Sequence, residues 1–467
     1  MEGRMQKTSA QANDCPQRNR SATKRYEGVQ TFMWICEDNF AEVPFDKAHL
    51  LELILSPDNL NRAYKAVVGN KGSGSIDKMS CEQLLPWFLA NKDELTSSLQ
   101  QGTYRPNPVP RVEIPKDNGK KRLLGIPTVV DRLVQQSINQ VLTPIYERQF
   151  SKTSYGFRPK RSCHDALRKA QEIVDEGYKY VVDLDLERFF DTVNHSRLID
   201  ILSRTITDGR VVSLIHKYLS SGVINRGLFE ASEDGTPQGD PLSPLLGNVM
   251  LNELDKELER RGHPFVRYAD DAMIFCKSKR AAWRVKASIT RFIEERLFLK
   301  VNREKTVVSY VRGGDKVLGY SFYVNKGKCL LTVHPKTKMK AKLKELTSRS
   351  NGWGHERRKQ KLKEYIRGWI GYYHLAQIKR LCLETDEWLR RRIRMCIWKC
   401  WKKPKTRITN LKRCGIAEWQ AYQWGNTRLG YWRIAASPIL TRAISNENLR
   451  KAGYVTLTDS YLEWYPK

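Results

Sequence analysis

Apolar residues recur at helical spacing in several separate stretches of the chain. Ser56-Pro57-Asp58 reads as an N-cap followed by proline at the first helical position, and Leu60, Tyr64 and Val67/Val68 continue on one face. Leu133, Ser137, Val141 and Ile145 predict another helix. Between them Val109–Ile114 alternates as a strand does. Asp117-Asn118-Gly119 supplies turn chemistry, and Arg122–Ile126 returns as the second strand. Three later stretches are amphipathic: Met339/Leu343/Leu346, Leu362/Ile366/Trp369/Tyr373 and Leu389/Ile393/Ile397/Trp401, the last ended by Pro404. The pattern predicts an α+β region with antiparallel sheet over 46–333, then an all-α region over 334–425.

Two apolar strands carry acids. In Tyr180-Val181-Val182-Asp183-Leu184-Asp185-Leu186 the two aspartates share a face, because side chains alternate along a strand. In Phe265–Phe275 two apolar runs flank Ala269-Asp270-Asp271, which predicts a hairpin with acids at its tip. Unpaired charges beside a core are costly and must meet cations. Lysine or arginine would serve. A divalent metal is the sharper reading, since hard carboxylate oxygens suit Mg²⁺ together with substrate phosphates.

Composition adds the partner. The 467 residues carry 82 Lys+Arg against 51 Asp+Glu, a net charge of +31. From His334 to Ala452 there are 30 basic and 8 acidic residues, so this segment alone contributes 30 − 8 = +22. Ordinary surfaces mix the two signs; a surface so one-sided fits a polyanion, whose phosphates release counterions on contact. Trp398, Trp401, Trp424 and Trp432 are candidates for stacking on unpaired bases, although tryptophans at helical spacing more often pack inside. The ten cysteines lack a Cys-x-x-Cys pair, and Cys396/Cys400 with Cys414 and His374 read as buried thiols before zinc. No apolar run approaches the ~20 residues that span a bilayer, and the N-terminus has no apolar leader, so a cytoplasmic, nucleoid- or RNA-associated protein is expected. Residues 1–45, with six basic and six acidic side chains, read as a flexible extension. No Walker-type glycine loop points to ATP hydrolysis.

Tyr268-Ala269-Asp270-Asp271 resembles the YADD signature of reverse transcriptases. The surrounding blocks, in order, resemble bacterial group II intron-encoded reverse transcriptase/maturases: Arg111–Lys116, Leu124–Thr128, Tyr155–Pro159, Thr236–Gly239, Leu242–Leu246 and Arg367–Tyr373. The resemblance runs from about Leu50 to about Lys451. It implies a right-hand polymerase, with fingers and palm, followed by a helical thumb/maturase domain. Residues 426–467 would be a C-terminal DNA-binding region, without the endonuclease domain of some relatives, as in the compact class.

The same resemblance implies roles. Asp185, Asp270 and Asp271 would hold two Mg²⁺ ions, Mn²⁺ being a possible substitute. Asp185 is preferred over Asp183 and Asp191 because the family ligand precedes an aromatic-Asp pair, here Phe190-Asp191, by five residues. Phe190 would exclude a 2′-hydroxyl, Lys116 and Arg122 would grip the triphosphate, and Gln238 and Gly239 would line the nucleotide pocket. Lys305 would protonate the leaving pyrophosphate, and Leu318-Gly319 would form the primer grip. Lys336, Lys338, Lys340, Lys342, Lys344, Arg390, Arg391 and Arg392 are the expected nucleic-acid contacts. One residue departs from the family: Asp240 stands where glycine is usual, and a carboxylate near template phosphates is expected to alter template handling. The implied partners are group II intron RNA, target DNA and primer, and dNTPs, with no membrane and no obligatory protein partner. An enzyme that copies RNA into DNA, a maturase that clamps intron RNA for splicing, and a free-standing reverse transcriptase all remain open at this point.

Overall fold

The computed structural model describes residues 49–115, 121–225, 228–231, 234–236, 239–311, 316–325, 328–333 and 336–465. The expected extension 1–45, Lys116, the 117–119 turn and Gln238 lie outside the described residues, as does the side chain of Arg122. Helices α1 (Leu50–Ile54), α2 (Pro57–Gly69) and α3 (Leu84–Gln100) lead into strands β1 (Val109–Pro115) and β2 (Lys121–Gly125). Pro57 sits at the first helical position with Ser56 as N-cap, as its fixed φ favours. β1 and β2 pair antiparallel, Arg111 opposite Gly125, as the alternation predicts. β1 also pairs in parallel with β4 (Val223–Asn225), which the sequence pattern did not announce; β5 (Leu228–Glu230) completes this sheet in the order β2-β1-β4-β5.

Helix α4 (Val129–Glu147) is capped by Thr128, whose hydroxyl accepts from the Asp131 amide. Helix α5 (Cys163–Asp175), strand β3 (Tyr180–Leu184), helices α6 (His195–Ser203), α7 (Gly209–Leu219) and α8 (Ser243–Arg260), strands β6 (Phe265–Tyr268) and β7 (Asp271–Cys276), helix α9 (Lys279–Arg296) and strand β8 (Val307–Tyr310) follow. The second sheet runs β6-β7-β3-β8, antiparallel throughout. Both its faces are covered. Val182, Leu184, Phe265 and Ile274 join a core with α4, α6, α7, α8 and α9. Val181, Val266, Met273 and Phe275 join a second core. A strand buried on both faces reads as a continuous apolar run, which is why the acids within it stand out.

The second core continues through a third sheet, β9 (Lys316–Val317), β10 (Tyr320–Asn325) and β11 (Lys328–Val333), into helices α10 (Lys336–Leu346), α11 (His355–Tyr373) and α12 (Lys379–Cys400). These are the three amphipathic stretches expected. Met339, Leu343 and Leu346 are buried, while Lys336, Lys338, Lys340, Lys342 and Lys344 are exposed. Pro404 does more than end α12: it opens α13 (Pro404–Arg413) at its first position. Short helices continue to Leu462, and Leu440, Leu449, Leu457 and Tyr461 belong to the same core. Cys396 is buried and Cys400 exposed.

Candidate active site

The acids of the two strands meet across the second sheet. β6 and β7 form the expected hairpin, Tyr268 opposite Asp271, with Ala269-Asp270 as its two-residue turn. Ala269 takes φ +59°, a left-handed conformation that costs a non-glycine residue roughly 1–2 kcal/mol. β3 pairs β7 with Leu184 opposite Ala272. Asp185 follows Leu184 and Asp271 precedes Ala272, so the two acids stand at the same end of this ladder, close enough for the Asp185 charge to act on Asp271. Asp183 lies opposite Met273 on the same face.

The segment after β3 is pinned by the chain around Lys305. The Asn302 amide donates to the Asp185 carbonyl at 2.9 Å, and the Asp185 amide donates to the Thr306 hydroxyl oxygen at 3.2 Å. The Lys305 Nζ donates to both Asp185 carboxylate oxygens, at 2.9 and 3.1 Å. Asp185 therefore faces lysine here, and among the described residues no three His, Cys, Asp or Glu side chains already form a metal cage. The donor set nonetheless suits a divalent cation. Desolvation and then the carboxylates of Asp270, Asp183 and Asp185 push the Asp271 carboxyl up to about 6, with Lys305 opposing. Of these causes, the crowding of like charges is the one that a bound cation would relieve.

Phe190 stands beside this centre on the turn that follows β3. Its carbonyl accepts from the Thr236 amide at 2.6 Å. Gly235, at φ +93°, packs so closely that a Cβ would lie 3.0 Å from that oxygen. The ring of Phe189 contacts Phe190 at 5.0 Å between centroids. Gly247 on α8 makes room for both, since a Cβ there would meet Phe189 at 3.0 Å and Phe190 at 3.3 Å. Gly239 has φ +122° and sits where any Cβ would collide with the Gly125 carbonyl at the end of β2. The expected primer grip is the β9–β10 turn. Leu318 and Gly319 both have positive φ, +47° and +80°. Tyr372 on α11 donates its hydroxyl to the Leu318 carbonyl at 2.8 Å, and a Cβ on Gly319 would come within 2.9 Å of the Tyr373 hydroxyl.

Several supports escaped the sequence reading. Arg267 is 1% exposed and Asp255 on α8 is 0%. The guanidinium donates to both Asp255 oxygens at 2.8 and 2.6 Å, to the Asn248 side-chain oxygen at 2.9 Å, and to the Ala269 carbonyl at 2.9 Å. Asn248 donates in turn to the Gly156 carbonyl at 2.9 Å, and Gly156 lies so close to Ala269 that a Cβ would overlap its amide. Arginine inside the apolar run Phe265–Tyr268 was as anomalous as the acids, and Asn248, Asn252 and Asp255 share one face of α8 at helical spacing.

Other expectations shift. Asp240 is buried and hydrogen-bonded to Gln135 instead of being turned outward. Arg391 bonds the Trp432 carbonyl and lies 3.9 Å over that indole, while Arg392 bonds Thr347 and the Lys344 carbonyl. Trp398 is core, whereas Trp419, which the spacing did not single out, is 68% exposed.

Acids from a hairpin tip and a neighbouring strand, on an antiparallel sheet flanked by helices and a basic helical region, define a palm-type nucleic-acid polymerase. Residues 114–326 match the family described as "Reverse transcriptase (RNA-dependent DNA polymerase)" and residues 336–415 that described as "Group II intron, maturase-specific domain". The chain is 34% identical to "Protein YkfC" of Escherichia coli (strain K12), over 58% of this chain and 82% of that one. It is 31% identical to "Group II intron-encoded protein LtrA" of Lactococcus lactis subsp. cremoris, over 59% of this chain and 57% of that one. It is 27% identical to "Nuclear intron maturase 2, mitochondrial" of Arabidopsis thaliana, over 40% of this chain and 30% of that one. The chain thus spans little more than half of LtrA and less than a third of the plant maturase. It belongs to the group II intron-encoded reverse transcriptases, an RNA-directed DNA polymerase joined to a maturase-specific domain. The polymerase module implies dependence on a divalent metal, and both modules imply nucleic-acid partners. No helix among the described residues is long and apolar enough to cross a membrane.

Proposed function

We propose that this chain binds the RNA of a group II intron, assists its splicing as a maturase, and copies it into DNA from a primer at the target site. The observation that carries the polymerase half is the ladder that ends at Leu184 and Ala272, which brings the adjoining Asp185 and Asp271 to one end of the sheet with Asp270 at the hairpin tip. Asp185, Asp270 and Asp271 would hold two Mg²⁺ ions, with Mn²⁺ able to replace them. When bound, such ions activate the primer 3′-hydroxyl and neutralise charge on the departing pyrophosphate.

The chain's own residues supply the rest. The Phe190 ring, backed by Phe189 and Gly247, excludes a ribose 2′-hydroxyl by contact. Gly239 lets backbone approach the nucleotide, beside Gln238, while Lys116 and Arg122 grip the triphosphate. Lys305 holds a proton at Nζ within hydrogen-bond reach of Asp185, available to the leaving pyrophosphate. Leu318-Gly319 holds the primer end. The lysine row of α10, Lys336 to Lys344, with Arg390 and the region from 426 onward, contacts intron RNA and DNA. These roles place the protein with RNA in the cytoplasm or nucleoid. The maturase-specific match favours an intron-encoded enzyme over a free-standing one.

The test is the double substitution Asp270→Ala/Asp271→Ala, assayed for primer extension on an RNA template with and without Mg²⁺. Synthesis should vanish while RNA binding and assisted splicing persist. Parental copying by the double variant would refute the metal assignment; loss of RNA binding with it would refute the separation of the two activities.

A further inference from the structure

One buried acid beside the nucleotide pocket has no part in this chemistry. Asp240 follows Gly239 and is 6% exposed. Its Oδ2 accepts from the Gln135 Nε2 of α4 at 3.0 Å. Its Oδ1 and the Gln135 Oε1 are both buried, and neither has a hydrogen-bond partner among the described residues. A carboxyl group and a primary amide are planar and carry two polar atoms each on one edge. When the hydrogen bond that joins them uses the amide hydrogen cis to the amide oxygen, the two remaining oxygens come face to face. Two acceptors so placed repel unless a proton lies between them.

We propose that Asp240 is held as the neutral acid, its Oδ1–H donating to Gln135 Oε1, so that acid and amide close a two-bond ring that positions Gly239. The surroundings favour the uncharged form. Burial, and to a lesser degree the charge of Asp131, raises the Asp240 carboxyl to about 7, against the Gln135 bond and Arg132. Asp131, on the same helix, is itself occupied by Thr128, Tyr104 and Asn107. Tyr218 of α7 lies near Asp240 too, but its hydroxyl is engaged with Tyr104, and no hydrogen bond joins it to Oδ1 among the described residues.

The ring acts at a tight joint. Gly239 already abuts the Gly125 carbonyl at the end of β2, the strand that carries Arg122. Fixing the next residue to α4 locks the pocket backbone between that strand and helix α4. Asp240 is thus a positioning residue, acting through Gly239, and this rests on the reading of Gly239 as part of the nucleotide pocket. The folded carboxyl titrates above its unfolded value. Its contribution is complete below the ordinary aspartate pKa of ~3.9 and is lost as pH rises through about 7.

The experiment compares the full-length parent with Asp240→Asn, whose amide keeps both bonds without titrating, and Asp240→Leu, which keeps neither. The first measurement is the urea midpoint without substrate across about pH 5 to 8. The parent should lose stability relative to Asp240→Asn as pH rises; superimposable curves would overturn the neutral acid. This measurement needs no polymerase activity, so it stands even if the parent makes no DNA, an outcome that would sink the polymerase reading instead. The second is the dNTP KM on a fixed RNA template. In the parent it should rise about fivefold over the same range, the worth of one net hydrogen bond, while Asp240→Asn stays flat and Asp240→Leu is raised throughout. Matching KM profiles in parent and Asp240→Asn would overturn the positioning role. Tyr218→Phe should leave the difference between them unchanged; abolishing it would assign the Oδ1 partner to Tyr218 and overturn the ring.

Discussion

Replacing Arg267 with methionine tests whether the buried pair beneath the YADD turn serves stability, geometry or both. The change removes the arginine that is ion-paired at 2.6 Å with Asp255, a carboxylate with no solvent exposure. Breaking a buried pair on one side typically costs about 3–5 kcal/mol, because a charge is left without compensation. Against the ~5–15 kcal/mol by which folded proteins are stable, that is a large fraction. The double variant Arg267→Met/Asp255→Leu removes both charges and replaces them with apolar volume, which is often neutral or better. Its stability should return to within about 1 kcal/mol of the parent. Activity should not return with it. The Arg267 hydrogen bond to the Ala269 carbonyl, worth about 1.5–3 kcal/mol for a charged donor, is lost in both variants. That bond is of the size needed to hold Ala269 at positive φ and Asp270 at the tip. Urea unfolding followed by tryptophan fluorescence gives the first quantity, and single-turnover primer extension the second. A double variant that recovers both would show the network to be packing alone. A single variant that loses less than about 1 kcal/mol would show that the two charges are not desolvated together.

Two further outcomes are expected. Tyr372→Phe deletes the hydroxyl that holds the Leu318 carbonyl; the KM for primer–template should rise about fivefold with the dNTP KM unchanged, as one net hydrogen bond is worth about 1 kcal/mol. Reversing Lys336, Lys340 and Lys344 to glutamate should flatten the plot of log affinity against log salt for RNA, by about 0.7 per lost single-strand phosphate contact, and an unchanged slope would remove α10 from the binding surface.

What the sequence disclosed follows from what periodicity can carry. The acid-tipped hairpin, the β1–β2 pair and helices α10 to α12 were legible because each is a local pattern repeated over several residues. The burial of Asp240 was not, because it depends on Gln135, which lies 105 positions away and meets it only in the fold. Likewise the arginines of α12 looked like an open cationic face, yet Arg391 and Arg392 close onto Trp432 and Thr347 from other elements. Trp398 and Trp419 differ by local packing that no heptad-like count separates, one being 1% exposed and the other 68%. Lys305 was named from its motif, but its seat on Asp185 required the antiparallel bridge between Leu186 and Val301.

The central sheet is a party wall. Val182 and Ile274 press on one side of it while Val181 and Phe275 press on the other, into a core shared by α5, the third sheet and the helices from α10 onward. Cutting the chain after the last strand would strip away the helices that complete that core, leaving α5 and the third sheet with greasy surface bared behind the very carboxylates that copying requires. Splicing help and DNA synthesis are consequently tenants of one building: a lineage that ceased to use either could erode its contact residues, but could not demolish its half without bringing down the other.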